Sequence, residues 1–250
     1  IASSIMSKKI AAGSDAILLD VTVGSGAFMK NMTDARLLAK TMVDLGNAVG
    51  RKTVAVITDM RQPLGATIGN RLEIAESLTV LQGGGRPELR KFIADLAQIM
   101  LGLAGIDKSI DAILENLSNG AALEKFKKMI EAQGGDFDEL LTSPEHKTIF
   151  SKTVVSTQTG YVTSFDALTA GLLAMRAGAG RAVKSDVLDL DAGLKIFKKI
   201  GDYVKSDEPL FEILYNKADF DVEKESQVLL DAISISDEKV EIKEIVEIIK

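Results

Sequence analysis

Cysteine is missing altogether from this 250-residue chain, which excludes disulfides and thiolate chemistry and is compatible with a reducing cytoplasm. Histidine is nearly missing. The single one, His146, stands in the turn-like stretch SPEHK, away from any motif, and reads as an exposed loop residue. A basic excess is also lacking: 30 Lys and Arg against 36 Asp and Glu leave a net charge of −6. The basic residues are scattered among acids, so nothing forms the basic stripe that nucleic-acid binding needs. No apolar run reaches the roughly 18 residues of a membrane span, and no signal-peptide pattern opens the chain. The expectation is a cytoplasmic protein with neither a nucleic-acid nor a membrane partner.

What is present is apolar side chain, 46% of residues, enough for a substantial core in one or two domains. AILLDVTV (residues 16–23) and TVAVITD (53–59) are apolar and β-branched and read as buried strands. Between them Thr33 is a candidate N-cap with Asp34 in the first turn. Leu37, Leu38, Met42, Leu45 and Val49 then share one face of a helix over 33–49. Strand, helix, strand is a βαβ unit. It predicts a parallel sheet with helices on its faces and ligands at the carboxyl ends of the strands. Helices follow near 71–81, 87–103, 107–118 and 121–133, and another around 167–177. Short strands with turns begin after Lys152, so a boundary is expected near residue 150. The stretch GDYVKSDEPL has the G-D-x-V-x5-L spacing of a barrel-sandwich fold found in biotinyl and lipoyl carriers. The corresponding tip, EILYNK, lacks their flanking residues, so Lys217 is not expected to carry a prosthetic group. The fold class is therefore α/β, with a parallel-sheet α/β domain over 13–150 and a C-terminal α+β, barrel-sandwich-like domain over 151–250.

Chemistry concentrates in the first thirty residues. Ser4 and Lys8 stand four apart on a helix, hence on one face, flanked by Ile1 and Ile5. A hydroxyl donates and accepts while an ammonium only donates, so the pair can read a flat heterocycle offering a ring N–H beside a carbonyl. Such a pair is also an ordinary solvated helix face. The GSGAF turn after the first strand could cradle an anion, but it lacks the glycine of a dinucleotide fingerprint and the Lys-hydroxyl pair of a P-loop. Its more natural task is to aim Phe28 at a ligand as an apolar wall. Farther on, the glycine- and proline-bearing loop QPLGATIGN can turn backbone carbonyls inward. A carboxylate on the next helix, Glu76, could then complete an all-oxygen cation site with Leu64 and Thr67.

The run Ala2, Ser3, Ser4, Ser7, Lys8, Lys9, followed by Asp20, Val21, Gly24, Gly26, Ala27, Phe28, Met29, resembles the pyrimidine nucleoside phosphorylase and thymidine phosphorylase family. There an ASxxSKK helix precedes DVxxGxGAFM. The resemblance continues through TDMRQPLGATIGNRLEIAES and GYV and covers essentially the whole chain. It implies phosphate-dependent cleavage of a pyrimidine nucleoside, with Ser4 and Lys8 on the base, Lys8 as the catalytic group, and Ile1, Ile5 and Phe28 as walls. No organic cofactor is implied. In bacterial relatives a potassium or calcium ion is held by carbonyls at the positions of Leu64 and Thr67 and by the Glu76 carboxylate, although alanine is the residue expected at position 67. Thr22 departs from the family's lysine and removes a charge near the turn. The resemblance further implies a homodimer, residues 1–12 as the tail helix of a small α domain, and Gly13 as a hinge. Ile1 enters a helix directly without an initiator Met, so a fragment is expected, lacking the family's phosphate loop and inactive alone. An anthranilate phosphoribosyltransferase-like enzyme is the alternative within the fold. It would need acidic metal ligands near the glycine turn, which the SKK helix and GAFM do not supply. A non-catalytic domain is the alternative outside it.

Overall fold

A computed structural model describes residues 1–142 and 147–250; His146 lies outside the described residues. The chain opens with α1 (Ala2–Ala11), whose buried residue is Met6. Gly13, at φ +77, follows it in the left-handed conformation that ends helices. β1 (Ala16–Val23), α2 (Met32–Ala48) and β2 (Lys52–Asp59) come next. β1 and β2 are parallel and in register from Ala16 opposite Lys52 to Val23 opposite Asp59. Side chains alternate across a strand, so Ile17, Leu19 and Val21 face one way. They pack with Ala35, Ala39, Met42 and Val43 of α2 and with Met6 in the first of two cores. The cap of α2 differs from the sequence expectation. Asn31 is the N-cap, its Oδ1 accepting the Asp34 N–H at 2.9 Å, while Thr33 lies inside the first turn. An amide oxygen two positions earlier reaches the orphan N–H that a cap must satisfy.

β3 (Thr67–Ile68), α3 (Asn70–Leu81), α4 (Pro87–Leu103), α5 (Ile110–Ser118), α6 (Ala121–Ala132) and α7 (Phe137–Thr142) follow. α5 begins later than its expected start because the Ser109 hydroxyl accepts the Ala112 N–H and sets the first turn there. Beyond lie β4 (Phe150–Val155), β5 (Gly160–Phe165), α8 (Ala167–Ala174), a π-helical turn (Met175–Ala179), β6 (Gly193–Ile196), β7 (Tyr203–Val204), β8 (Pro209–Tyr215), α9 (Val222–Asp231), β9 (Ile233–Ser236) and β10 (Ile245–Ile249). Among the described residues the architecture is mixed α/β in three sheets, ordered β1-β2-β10, β3-β6-β8-β4 and β7-β5-β9. The second core gathers Val162, Phe165, Leu173, Leu194, Phe211 and Leu229 among others.

Pairing crosses position 150 in both directions. β3 joins β6, Thr67 opposite Lys195, and β10 returns antiparallel to β2, Ile249 opposite Ala55. The loop between β2 and α3 is thus held from both sides.

Candidate active site

The first sheet delivers two turns to the carboxyl ends of β1 and β2, and they interlock. Gly26 N–H donates to the Met60 carbonyl at 3.0 Å, and the Ser25 hydroxyl to the Arg61 carbonyl at 3.2 Å. The Ala167 N–H, first residue of α8, reaches both the Arg61 carbonyl at 3.1 Å and Ser25 Oγ at 3.2 Å. Gly24 has φ +136, and a Cβ there would stand 2.6 Å from the Arg61 nitrogen; a Cβ on Gly26 would stand 2.7 Å from the Ala167 methyl. The glycines therefore serve the close approach of three backbone segments. Phe28 projects beyond the turn, 74% exposed.

Of the five residues read as a base site, the structure joins only some. Ile1, 64% exposed, and Phe28 line one cavity of about 410 Å³ together with Met29, Leu37 and Thr41. Ser4 and Lys8 are exposed on α1 outside that lining. Among the described residues neither the Ser4 hydroxyl nor the Lys8 ammonium has a polar side-chain partner; the Ser4 carbonyl accepts the Ser7 hydroxyl at 3.2 Å and the Lys8 carbonyl the Ala12 N–H at 3.0 Å. Lys8 and Lys9 both sit in the last turn of α1, where a cation also complements the helix dipole. Ile5 turns inward and packs against the first core.

Leu64, Thr67 and Glu76 do come together, lining a cavity of about 620 Å³. Glu76 Oε1 accepts the Ala66 N–H at 2.7 Å and Oε2 the Thr67 hydroxyl at 2.8 Å. A Cβ on Gly65 would lie 2.2 Å from Glu76 Oε2, so the loop wraps the carboxylate closely and a larger residue there would have to displace it from its two donors. The Leu64 carbonyl is taken by a group the sequence reading missed: Lys199 Nζ donates to it at 2.6 Å. Lys199 is 8% exposed. Burial pulls its pKa down to about 8, Arg86 pushes the same way, and Glu76, Glu244 and Glu88 oppose. Its backbone is anchored as well. Lys199 N–H donates to Asp202 Oδ2 at 2.9 Å, Arg86 Nη2 grips both Asp202 oxygens at 3.0 and 2.8 Å, and Ile200 N–H reaches Gln62 Oε1 at 2.8 Å. As placed, each Glu76 oxygen accepts one neutral donor and the Leu64 carbonyl faces an ammonium, so a dissolved cation would share these oxygens with groups of the chain itself.

Glu73 Oε1 accepts the Gly69 N–H at 3.2 Å, so it caps α3 rather than joining the cluster. Among the described residues no three His, Cys, Asp or Glu side chains gather as metal ligands. Among the described residues no helix is long and apolar enough to cross a membrane.

Comparison with known proteins defines the class first. Residues 2–123 match the model of the glycosyl transferase family a/b domain, and residues 161–236 that of the pyrimidine nucleoside phosphorylase C-terminal domain. The pyrimidine-nucleoside phosphorylases of Staphylococcus aureus strains USA300, NCTC 8325 and COL are each 45% identical over 227 residues, 88% of this chain and 52% of theirs. The chain belongs to the pyrimidine nucleoside phosphorylase family and spans about half the length of the relatives it matches.

Proposed function

We propose that this chain carries the base-binding helix of an enzyme that cleaves pyrimidine ribo- or deoxyribonucleosides with inorganic phosphate, giving free base and pentose 1-phosphate. The supporting observation is the exposed Ser4–Lys8 face of α1, whose hydroxyl and ammonium have no polar side-chain partner among the described residues. As the glycosidic bond breaks, the sugar becomes oxocarbenium-like and the base takes negative charge onto its ring nitrogen and carbonyls. An ammonium beside a base carbonyl stabilises that charge more in the transition state than in the ground state. Lys8 takes this role, Ser4 fixes the base through its ring N–H, and Ile1 and Phe28 supply apolar cover. Phosphate is itself the nucleophile, so the protein needs none.

The same reading takes the two C-terminal sheets as a barrel-sandwich-like unit and a homodimer as the working assembly. The resemblance assigns phosphate binding to a loop that is not among the motifs of this chain, and on that ground the 250-residue chain alone is read as inactive. The decisive comparison uses any form of the protein that turns over uridine or thymidine. There Lys8→Ala lowers kcat/KM by roughly 2–4 kcal/mol of transition-state stabilisation, while Lys9→Ala, about 100° around the helix, costs little. Equal losses at the two lysines would refute the assignment.

A further inference from the structure

Glu76 sits within a loop whose nearest donors are neutral, an N–H from Ala66 and a hydroxyl from Thr67. Neutral donors engage both oxygens but leave its charge uncompensated. A family of catalysts that places a metal ion here solves that problem from solution. This chain brings its own positive charge. Lys199 Nζ lies 2.6 Å from the Leu64 carbonyl, close to the 2.3–2.6 Å at which oxygen binds calcium. Lysines are almost never so buried unless paired.

We propose that the Lys199 ammonium is the resident cation of the Leu64–Thr67–Glu76 cluster, so that this site takes no dissolved metal ion. The β6–β7 loop that delivers it is fixed at three further points, the bonds Ile200 to Gln62, Lys199 to Asp202 and Arg86 to Asp202. The ammonium is therefore positioned before any ligand arrives. An ion reaching the Leu64 carbonyl would meet a like charge in a buried setting, with Arg86 adding to the repulsion. The attraction of Glu76, Glu244 and Glu88 is already directed at Lys199. The cluster also ties the C-terminal unit to the β2–α3 loop. In this reading Lys199 is a positioning residue that reaches no substrate itself.

The test is thermal melting of the 250-residue chain in potassium chloride and in tetramethylammonium chloride at equal ionic strength. The wild type is expected to melt at the same temperature in both, or to show a rise in potassium that survives Glu76→Gln and so arises elsewhere. A rise in potassium that Glu76→Gln abolishes would overturn the proposal. Lys199→Met keeps the stem and removes the charge. It is expected to melt roughly 5 °C or more below the exposed control Lys205→Met in the organic salt, and to regain part of that loss in potassium. No loss relative to the control would show that the ammonium contributes nothing. A loss that potassium leaves untouched would make Lys199 a hydrogen-bond tether and not a cation. Should Lys199→Met fail to fold, the wild-type salt series decides alone.

Discussion

Gly26→Ala is the sharpest probe of how the glycine turn is held. The new methyl would stand 2.7 Å from the Ala167 Cβ, 3.0 Å from Met60 Cγ and 3.1 Å from the Met60 oxygen, against the roughly 3.5–4.0 Å at which carbon atoms rest. Met60 Cγ can swing away. The other two neighbours cannot do so cheaply, because the Met60 carbonyl accepts the Gly26 N–H and the Ala167 N–H is bound to Arg61 and Ser25. The expected loss is about 1–3 kcal/mol, the usual cost of one methyl too many in a packed site. Ala167→Gly alone should lose roughly 1–2 kcal/mol, from one buried methyl and from added backbone entropy. If the two methyls collide as the geometry requires, the double variant is less destabilised than the sum by about 1–2 kcal/mol, the remainder being strain against Met60. Urea unfolding followed by circular dichroism measures each corner, provided the slope with denaturant stays constant. Strict additivity would mean that α8 does not press on the turn, and the interlocked picture of this region would fall.

Asp166 caps α8 through the Thr169 N–H at 2.7 Å, and Asp166→Ala should cost about 1 kcal/mol at neutral pH. Burial tends to raise its pKa, but the hydrogen bonds of Thr169 and Ser25 and the charge of Lys30 outweigh it and leave the group below its ordinary 3.8. A depressed folded pKa means the cap contributes fully above the unfolded value and fades as pH falls through the folded one, so the two urea midpoints should converge only in strong acid. A gap that is unchanged in strong acid would contradict the charged cap. Asn31→Ala should lose about 1 kcal/mol and Thr33→Ala less than about 0.5 kcal/mol; the reverse order in thermal melts would restore Thr33 as the cap of α2. Phe28→Ser should leave stability within about 0.5 kcal/mol, since the ring is mostly exposed, yet raise KM for nucleoside in a form that turns over. A large stability loss would make Phe28 a core residue instead.

How much of this was legible beforehand follows from how local each cause is. β1 and β2 were readable because a buried parallel strand is written as a near-continuous apolar run rich in Val, Ile and Leu, which β1 keeps on either side of Asp20. The limits of α4 were readable because Pro87 sits at its first turn and Gly105 just past its end. The two-residue β3 and the returning β10 were not, since each exists only through a partner far along the chain. Phe28 followed the family motif, but its exposure depends on where Met60, Arg61 and Ala167 crowd the turn before it.

The two lysine pairs show the limit most directly. Lys8-Lys9 and Lys198-Lys199 look alike in sequence, each a doublet beside an apolar residue. Helical spacing gives Lys8 and Lys9 different directions, because a period of 3.6 assigns each residue its own; both are exposed on α1. No such rule separates Lys198 from Lys199 in the loop between β6 and β7. Lys198 reaches the Tyr203 carbonyl and Glu208 toward the surface, whereas its neighbour is drawn inward by a carbonyl 135 positions away. That long-range pairing is what makes Lys199 a cation in the loop's wall, and only the assembled fold can reveal it.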